Sequence, residues 1–287
     1  MEAEVRPLPK MEYRAPSSLG EALAILKDYQ GKARLLAGGT DLIPKMKKRA
    51  IAADLLIDLN RIPGLSGIEL RKDGLHIGGL ARLAEIEASP LVREKAPALV
   101  QAIHIMACPP IRNRGTISGN LCTASPAADT GPPLLVLNAS VRLQGSGGER
   151  IVPLTAFFLA PAETVKRPDE MLTEVIIPFQ EGTSAFLKLG RRKAFTLSIA
   201  SAAAFAKIRG GRVEEVRVAL GAVAPTPIRG WKVEEALKGR EANEENIARA
   251  AEWIKNEVRP ISDVRASAEY RRDMSYVLTQ RVLGKVA

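Results

Sequence analysis

The chain has 287 residues, 46% hydrophobic and 26% charged, a globular composition long enough for one large domain or two, which excludes a disordered chain. Lys and Arg number 42 against 32 Asp and Glu, a net charge of +10, but the basic residues are scattered and aromatics are only 4%, so the stacking platform of a single-strand nucleic-acid binder is missing. No apolar run reaches membrane-spanning length, the start MEAEVRPLPK carries Glu2 and Glu4 and no secretory core, and two cysteines, Cys108 and Cys122, build no disulfide framework; the expectation is a cytoplasmic chain.

Tyr13 opens an extended start. Ser18 and Glu21 fit a capping box for a helix whose Leu19, Ala22, Leu23 and Leu26 share one face, and Gly31 is its stop. A short apolar strand, Arg34 to Ala37, ends abruptly in Gly38-Gly39-Thr40-Asp41. Leu42 to Lys48 reads as a short helix with Pro44 in its first turn, and Leu55 to Leu59 as a second strand. Ile68 to Leu70 and Leu75 to Ile77 flank Asp73-Gly74, a hairpin signal. Two helices fit Leu80 to Ala88 and Leu91 to Met106, with Pro90 between them.

The stretch from Ile111 to Asp129, IRNRGTISGNLCTASPAAD, organises the chain. It is poor helix and poor strand. Its glycines take positive φ freely, so its backbone N–H groups are expected to turn inward as an anion-binding nest. Asp129 is expected to cap a helix running to Asn138. Val141 to Leu143 and Arg150 to Leu154 make a hairpin around Gly147-Gly148, and Leu172 to Ile177 is the next strand, closed by Pro178.

Beyond Pro178 to Thr183 the pattern changes. Ser184 to Leu189, Ile199 to Ile208 and Val213 to Leu220 read as strands, the last two joined by Gly210-Gly211. Trp231 to Leu237, Glu244 to Val258 and Ala266 to Gly284 read as helices, with Asn243 capping the middle one. Three strands followed by three helices predict a separate α+β domain.

Two Gly-rich loops carry the chemistry. LLAGGTDL, Leu35 to Leu42, closes a strand; the second loop is the central stretch. One Gly-Gly pair alone is a tight turn. Two such loops, each with Thr and Asp after an apolar element, suit a diphosphate. The P-loop and dinucleotide fingerprints are absent. His76 and His104 lack metal-ligand spacing, and two cysteines cannot hold an iron–sulfur cluster, so all four read as structural, the thiols as small buried groups. No nucleophile–base–orienter set stands out. The basic clusters Lys45, Lys47, Lys48, Arg49 and Arg191, Arg192, Lys193 read as solvated faces, with a docking face second.

These motifs, with VALGAVAPTPIR (Val218 to Arg229) and SAEYRRDMSYVLTQRVL (Ser267 to Leu283), resemble the FAD-binding medium subunit of the molybdenum hydroxylases, the xanthine dehydrogenase, carbon monoxide dehydrogenase and aldehyde oxidoreductase type. The resemblance covers nearly the whole chain in order. It implies an α+β, vanillyl-alcohol-oxidase-type (PCMH-type) FAD-binding fold over 1–180, in subdomains of about 1–60 and 61–180, then a carbon monoxide dehydrogenase flavoprotein-like C-terminal domain over 181–287.

The resemblance also implies roles. Leu36, Ala37, Gly38, Gly39, Thr40, Asp41 and Leu42 would wrap the FAD diphosphate and ribityl chain. Thr116, Ile117, Ser118, Gly119 and Asn120 would hold the diphosphate from the other side, with Ser125 and Asp129 completing the pocket. Ala107 and Ile111 would lie near the flavin, and Leu172 and Lys188 would add contacts. The family usually has Gly where this chain has Ser118, whose Cβ restricts φ. FAD would be non-covalent, since covalent links in this fold use His or Cys and neither histidine lies in a loop motif; Cys108 and Cys122 are the only near candidates for such a link. The implied activity is electron transfer from [2Fe-2S] clusters on a small partner subunit, through FAD, to a small-molecule acceptor. The molybdenum cofactor would sit on a large molybdopterin subunit. The alternative is a stand-alone FAD-dependent oxidoreductase acting on its own small substrate.

Overall fold

A computed structural model of the chain describes residues 7–29, 31–192 and 195–287. Glu2 and Glu4 of the N-terminal stretch, and Lys193 of the second basic cluster, lie outside the described residues.

Strands β1 (Glu12–Arg14), β2 (Ala33–Leu36) and β3 (Leu55–Asp58) form a parallel sheet in the order β1-β3-β2. Helix α1 (Leu19–Asp28) joins β1 to β2, and α2 (Leu42–Lys47) lies between β2 and β3. Ser18 caps α1, its Oγ accepting from Glu21 N–H at 3.2 Å. The reciprocal half of the expected box is displaced by one residue, because the Glu21 carboxylate accepts from Ser17 N–H at 2.9 Å. Ala22, Leu23 and Leu26 of α1 share a core with Leu55 and Ile57 of β3 and with Met171. Because β2 and β3 run side by side in one direction, the turns leaving Leu36 and Asp58 emerge at the same edge, where ligands bind parallel sheets.

The second unit is a five-stranded antiparallel sheet covered by helices. In chain order come β4 (Ile68–Arg71), β5 (Gly74–Gly78), α3 (Leu83–Ala88), α4 (Pro90–Lys95), α5 (Pro97–His104), α6 (Pro109–Arg112), α7 (Ile117–Thr123) and α8 (Gly131–Val136). Then follow β6 (Ser140–Gly145), β7 (Gly148–Pro153), the small pair β8 (Phe158–Ala160) and β9 (Glu163–Thr164), and β10 (Glu170–Pro178). The sheet order is β4-β5-β10-β6-β7. Leu99 and Ile103 of α5, Ile117 and Leu121 of α7 and Leu134 of α8 bury against Val141, Leu143 and Val175 of the sheet.

Several expectations are corrected here. The single helix over Leu91 to Met106 is two helices, because Pro97 has no N–H to continue the ladder and Ala96 leaves the helical region at φ −141°, ψ 55°. The central stretch is not irregular throughout: Thr116 takes an N-cap conformation and its Oγ1 accepts from Gly119 N–H at 3.1 Å, starting α7. The helix after Asp129 runs only from Gly131 to Val136, and Asp129 does not cap it.

The last third is an antiparallel sheet β11-β12-β13-β14, with β11 (Thr183–Gly190), β12 (Ser198–Arg209), β13 (Arg212–Gly221) and β14 (Ile228–Arg229). Helices α9 (Trp231–Leu237), α10 (Glu244–Ala251), α11 (Ile254–Glu257) and α12 (Ala268–Leu283) follow. The helix expected over Glu244 to Val258 is interrupted where Trp253 N–H bonds Ala250 O, three residues back. On β12, Ala200, Ala202, Ala204 and Ala206 face the core beneath these helices, whereas Ala203 and Phe205 join the core of the five-stranded unit. Both faces of β12 are therefore buried, and the two units share an apolar seam.

Candidate functional site

The two Gly-rich loops face each other. The first leaves β2 through Ala37 and Gly38, turns at Gly39 with φ +75°, and enters α2. The second runs from the end of α6 into α7. Gly38 lies so close to it that a Cβ on Gly38 would stand 2.0 Å from the Arg114 carbonyl oxygen. The Thr40 hydroxyl lies over Gly115, 3.6 Å from where a Cβ would be. Asp41 Oδ2 accepts from Thr123 Oγ1 at 3.3 Å, tying the first loop to the end of α7.

The two loops differ in what they offer a ligand. Among the described residues, the backbone N–H groups of Gly38, Gly39, Thr40, Asp41 and Leu42 meet no protein acceptor. The loop is half-buried, with Asp41 exposed, so these five consecutive amides are open to an acceptor from outside the chain. Most amides of the second loop are taken; among the described residues the Thr116 N–H meets no protein acceptor. Ile117 N–H donates to Ala81 O at 3.1 Å, Ser118 N–H to Gly79 O at 3.0 Å, and Asn120 N–H to Thr116 O at 3.0 Å. Neither Gly115 nor Gly119 takes positive φ, so the expected backbone nest in this stretch does not form. What the second loop presents is mainly side chains. Gly119, Asn120, Thr123 and Ser125 are half-buried, whereas Thr116 and Ser118 are buried. Ser118 sits in helical backbone, a conformation open to any L-residue, so its Cβ brings no strain.

The remaining sequence-predicted residues fall around this pair of loops. Ala107 takes φ +52° just before α6, and Ile111 carries the carbonyl that accepts from Arg114 and Gly115 N–H at 3.1 and 2.7 Å. Ile117 is a core residue beneath α7. Ser125 Oγ accepts from Ala127 N–H at 3.3 Å, closing a turn. Asn120 Oδ1 accepts from Thr130 Oγ1 at 2.5 Å, which fixes its amide orientation. Leu172 has its side chain in the core and its carbonyl against Gly79, where a Cβ would come within 2.4 Å.

Asp129 and Lys188 form a buried pair across the two units, Nζ to Oδ2 at 2.7 Å, with side chains 3% and 5% exposed. Ser198 Oγ donates to the other carboxylate oxygen at 2.5 Å. Burial pushes the Asp129 carboxyl above its usual range, opposed by the Lys188 ammonium and the Ser198 hydroxyl. Lys188 also lines an open groove of about 430 Å³ with Ile105, Gly190, Arg191, Arg192 and Thr196. Burial pushes the Cys122 thiol up to about 11, while its neighbour Lys166 pulls weakly the other way.

Sequence reasoning missed Asn60, Arg82 and Ser198. Asn60 Nδ2 donates to Ala37 O at 3.0 Å. Arg82 Nη1 donates to Asn113 O at 3.3 Å and Arg114 O at 3.2 Å, and Nη2 to Asn60 Oδ1 at 3.4 Å. The signal for Asn60 was its place two residues beyond β3, the parallel neighbour of β2. Arg82 and Ser198 act through long-range contacts with no local pattern.

Comparison with known proteins finds matches to both parts of the chain. Residues 9–180 match the family of the FAD binding domain in molybdopterin dehydrogenase, and residues 185–286 match the CO dehydrogenase flavoprotein C-terminal domain. The chain is 33% identical to the glyceraldehyde dehydrogenase medium chain of Sulfolobus acidocaldarius, covering 97% of this chain and 99% of that one. It is 35% identical to the carbon monoxide dehydrogenase medium chain of Hydrogenophaga pseudoflava, covering 96% of each. The solved carbon monoxide dehydrogenase from Hydrogenophaga pseudoflava that lacks the Mo-pyranopterin moiety superposes with a TM-score of 0.94 at 35% identity, over 98% of both chains.

Proposed function

Because the chain belongs to the family of FAD-binding subunits of the molybdenum hydroxylases, we propose that its Gly38–Leu42 loop receives the diphosphate of a non-covalently bound FAD. The chain is an oxidoreductase subunit with the mixed α and β fold of that family. It passes electrons from iron–sulfur clusters on a small partner subunit, through FAD, to an external acceptor; the molybdenum cofactor belongs to a large partner subunit. The observation that carries the site is the run of five acceptor-free amides, set against a second loop at backbone contact distance.

FAD, when bound, supplies the redox chemistry, and the protein supplies binding and orientation. The amides of Gly38 to Leu42 would donate hydrogen bonds to the diphosphate without any mobile side chain. Asn120, Thr123 and Ser125 offer polar groups from the facing loop. Leu36, Ala37, Ala107 and Ile111 provide the apolar and backbone wall, with Leu172 and Ile117 beneath it. Asp129 and Lys188 hold the C-terminal unit against the loop. Thr116 and Ser118 shape α7 rather than reach outward. The division of the chain falls near residues 178–183, supported by family matches that end at 180 and resume at 185. We place the complex in the cytoplasm, a reading supported by two cysteines that form no disulfide.

The test is to purify the chain with FAD bound and assay aldehydes, purines and aromatic acids with an artificial dye. No turnover is expected until both partner subunits are added. Robust oxidation by the isolated chain would instead make it a stand-alone flavoenzyme.

A further inference from the structure

We infer that Arg82 and Asn60 are positioning residues for the cofactor, forming one clamp that sets the spacing of the two loops. The inference rests on the reading that these loops hold FAD. Each contact in the clamp lands on loop backbone. Asn60 grips the first loop at the Ala37 carbonyl, one residue before the open amides begin. Arg82 grips the second at the Asn113 and Arg114 carbonyls, and the two side chains bond each other at 3.4 Å. Arg114 O is the same atom that abuts Gly38. The clamp therefore pulls together the two backbones that steric contact keeps apart.

Both members are themselves fixed from behind. Asp58, at the end of β3, accepts from the Asn60 backbone N–H at 2.9 Å and its side-chain Nδ2 at 2.6 Å, and Tyr13 on β1 donates to the other Asp58 oxygen at 2.7 Å. Arg82 lies in a short bridge in which Leu83 N–H donates to Gly115 O at 2.9 Å and Ile117 N–H to Ala81 O at 3.1 Å. Its backbone N–H also donates to Glu85 Oε2 at 2.8 Å. One member thus belongs to the parallel sheet, the other to the five-stranded unit, and the diphosphate loop lies at their junction. A planar guanidinium fits this role because it can serve three acceptors in one fork, which an ammonium on a flexible stem does not hold in place.

The clamp touches no acceptor-free amide, so its effect on a ligand is preorganisation: without it the loops must be ordered when the cofactor binds. The experiment uses the full chain stripped of FAD, with FAD affinity read by quenching of flavin fluorescence and the unliganded fold by thermal melting. Asn60→Ala and Arg82→Met are each expected to weaken FAD roughly tenfold, with the double variant little weaker than either single one because the pair acts as a unit. The melting midpoint without FAD should stay near that of the unchanged chain. Arg82→Lys is expected to recover only part of the affinity. Unchanged FAD affinity in either single variant would overturn the clamp, as would an affinity loss matched by an equal loss of unliganded stability. A chain that binds no FAD before any substitution would overturn the reading of the loops themselves, a separate failure.

Discussion

The carbonyl oxygen of Arg114 occupies the space that a side chain on Gly38 would need, 2.0 Å from the ideal Cβ position. Glycine is required there by close approach of two backbones, and Gly38 does not take positive φ. Gly38→Val is therefore expected to force the loops apart. It should abolish FAD binding and also cost the fold about 1–3 kcal/mol, as overpacking against rigid neighbours does. Flavin absorbance of the purified variant and its melting midpoint check both halves. A variant with wild-type flavin content would contradict the two-loop site.

Lys188→Met should leave the buried Asp129 carboxylate without its cation, at a cost of about 3–5 kcal/mol at neutral pH. The sign with pH follows from the upward shift of Asp129. A group that holds its proton more tightly in the folded state favours folding at low pH and loses that contribution as pH rises through its folded pKa. The gap in melting midpoint between wild type and variant should narrow on going from about pH 7 to about pH 5. A gap that is constant or widens in acid counts against the pairing.

Asp263 behaves in the opposite sense. Its carboxylate accepts from Arg265 at 3.0 and 2.6 Å and from Arg271 at 2.8 Å, and these bonds, those of Arg265 foremost, hold its pKa well below the usual carboxylate range. The stability it contributes is present above the unfolded carboxylate pKa of about 3.9 and is lost as pH falls through the folded value. Urea midpoints taken at falling pH below about 4 should drop more steeply for the wild type than for Asp263→Asn. Parallel acid limbs would remove Asp263 from the account.

The flavin should come free on acid precipitation. His76 is 2% exposed and wedged between Asp73 and Glu174, at 2.9 and 3.1 Å. His104 lies on α5 beside Glu87. The Cys122 thiol, at about 11, is protonated at neutral pH and a poor nucleophile. Flavin retained in the pellet would point to Cys108, the remaining thiol.

Local chemistry made much of the fold legible. The Ser18 cap, the Asp73-Gly74 and Gly210-Gly211 turns, and the strand–Gly-Gly-Thr-Asp–helix unit are all short-range patterns, and they lie where the sequence places them. Both loops were legible too, but not their division of labour. Gly115 and Gly119 suggested a backbone nest, whereas the Ile117 and Ser118 amides between them pair with Ala81 and Gly79, more than thirty residues away, and the two glycine amides bond Ile111 O and Thr116 Oγ1. Asp129 looked like a helix cap because its partners Lys188 and Ser198 belong to another unit. Pro97 lies inside the span read as one helix, and its missing N–H is where the structure divides it. The seam through Ala203 and Phe205 was hidden because a strand buried on both faces shows no alternation.

Amide hydrogen exchange of the FAD-free chain, with and without added FAD, tests the central claim most directly. The account predicts that FAD slows exchange at Gly38 to Leu42 more than at any other segment, because those N–H groups gain phosphate acceptors. Protection confined to the groove beside Lys188, with exchange at Gly38 to Leu42 unchanged, would contradict it.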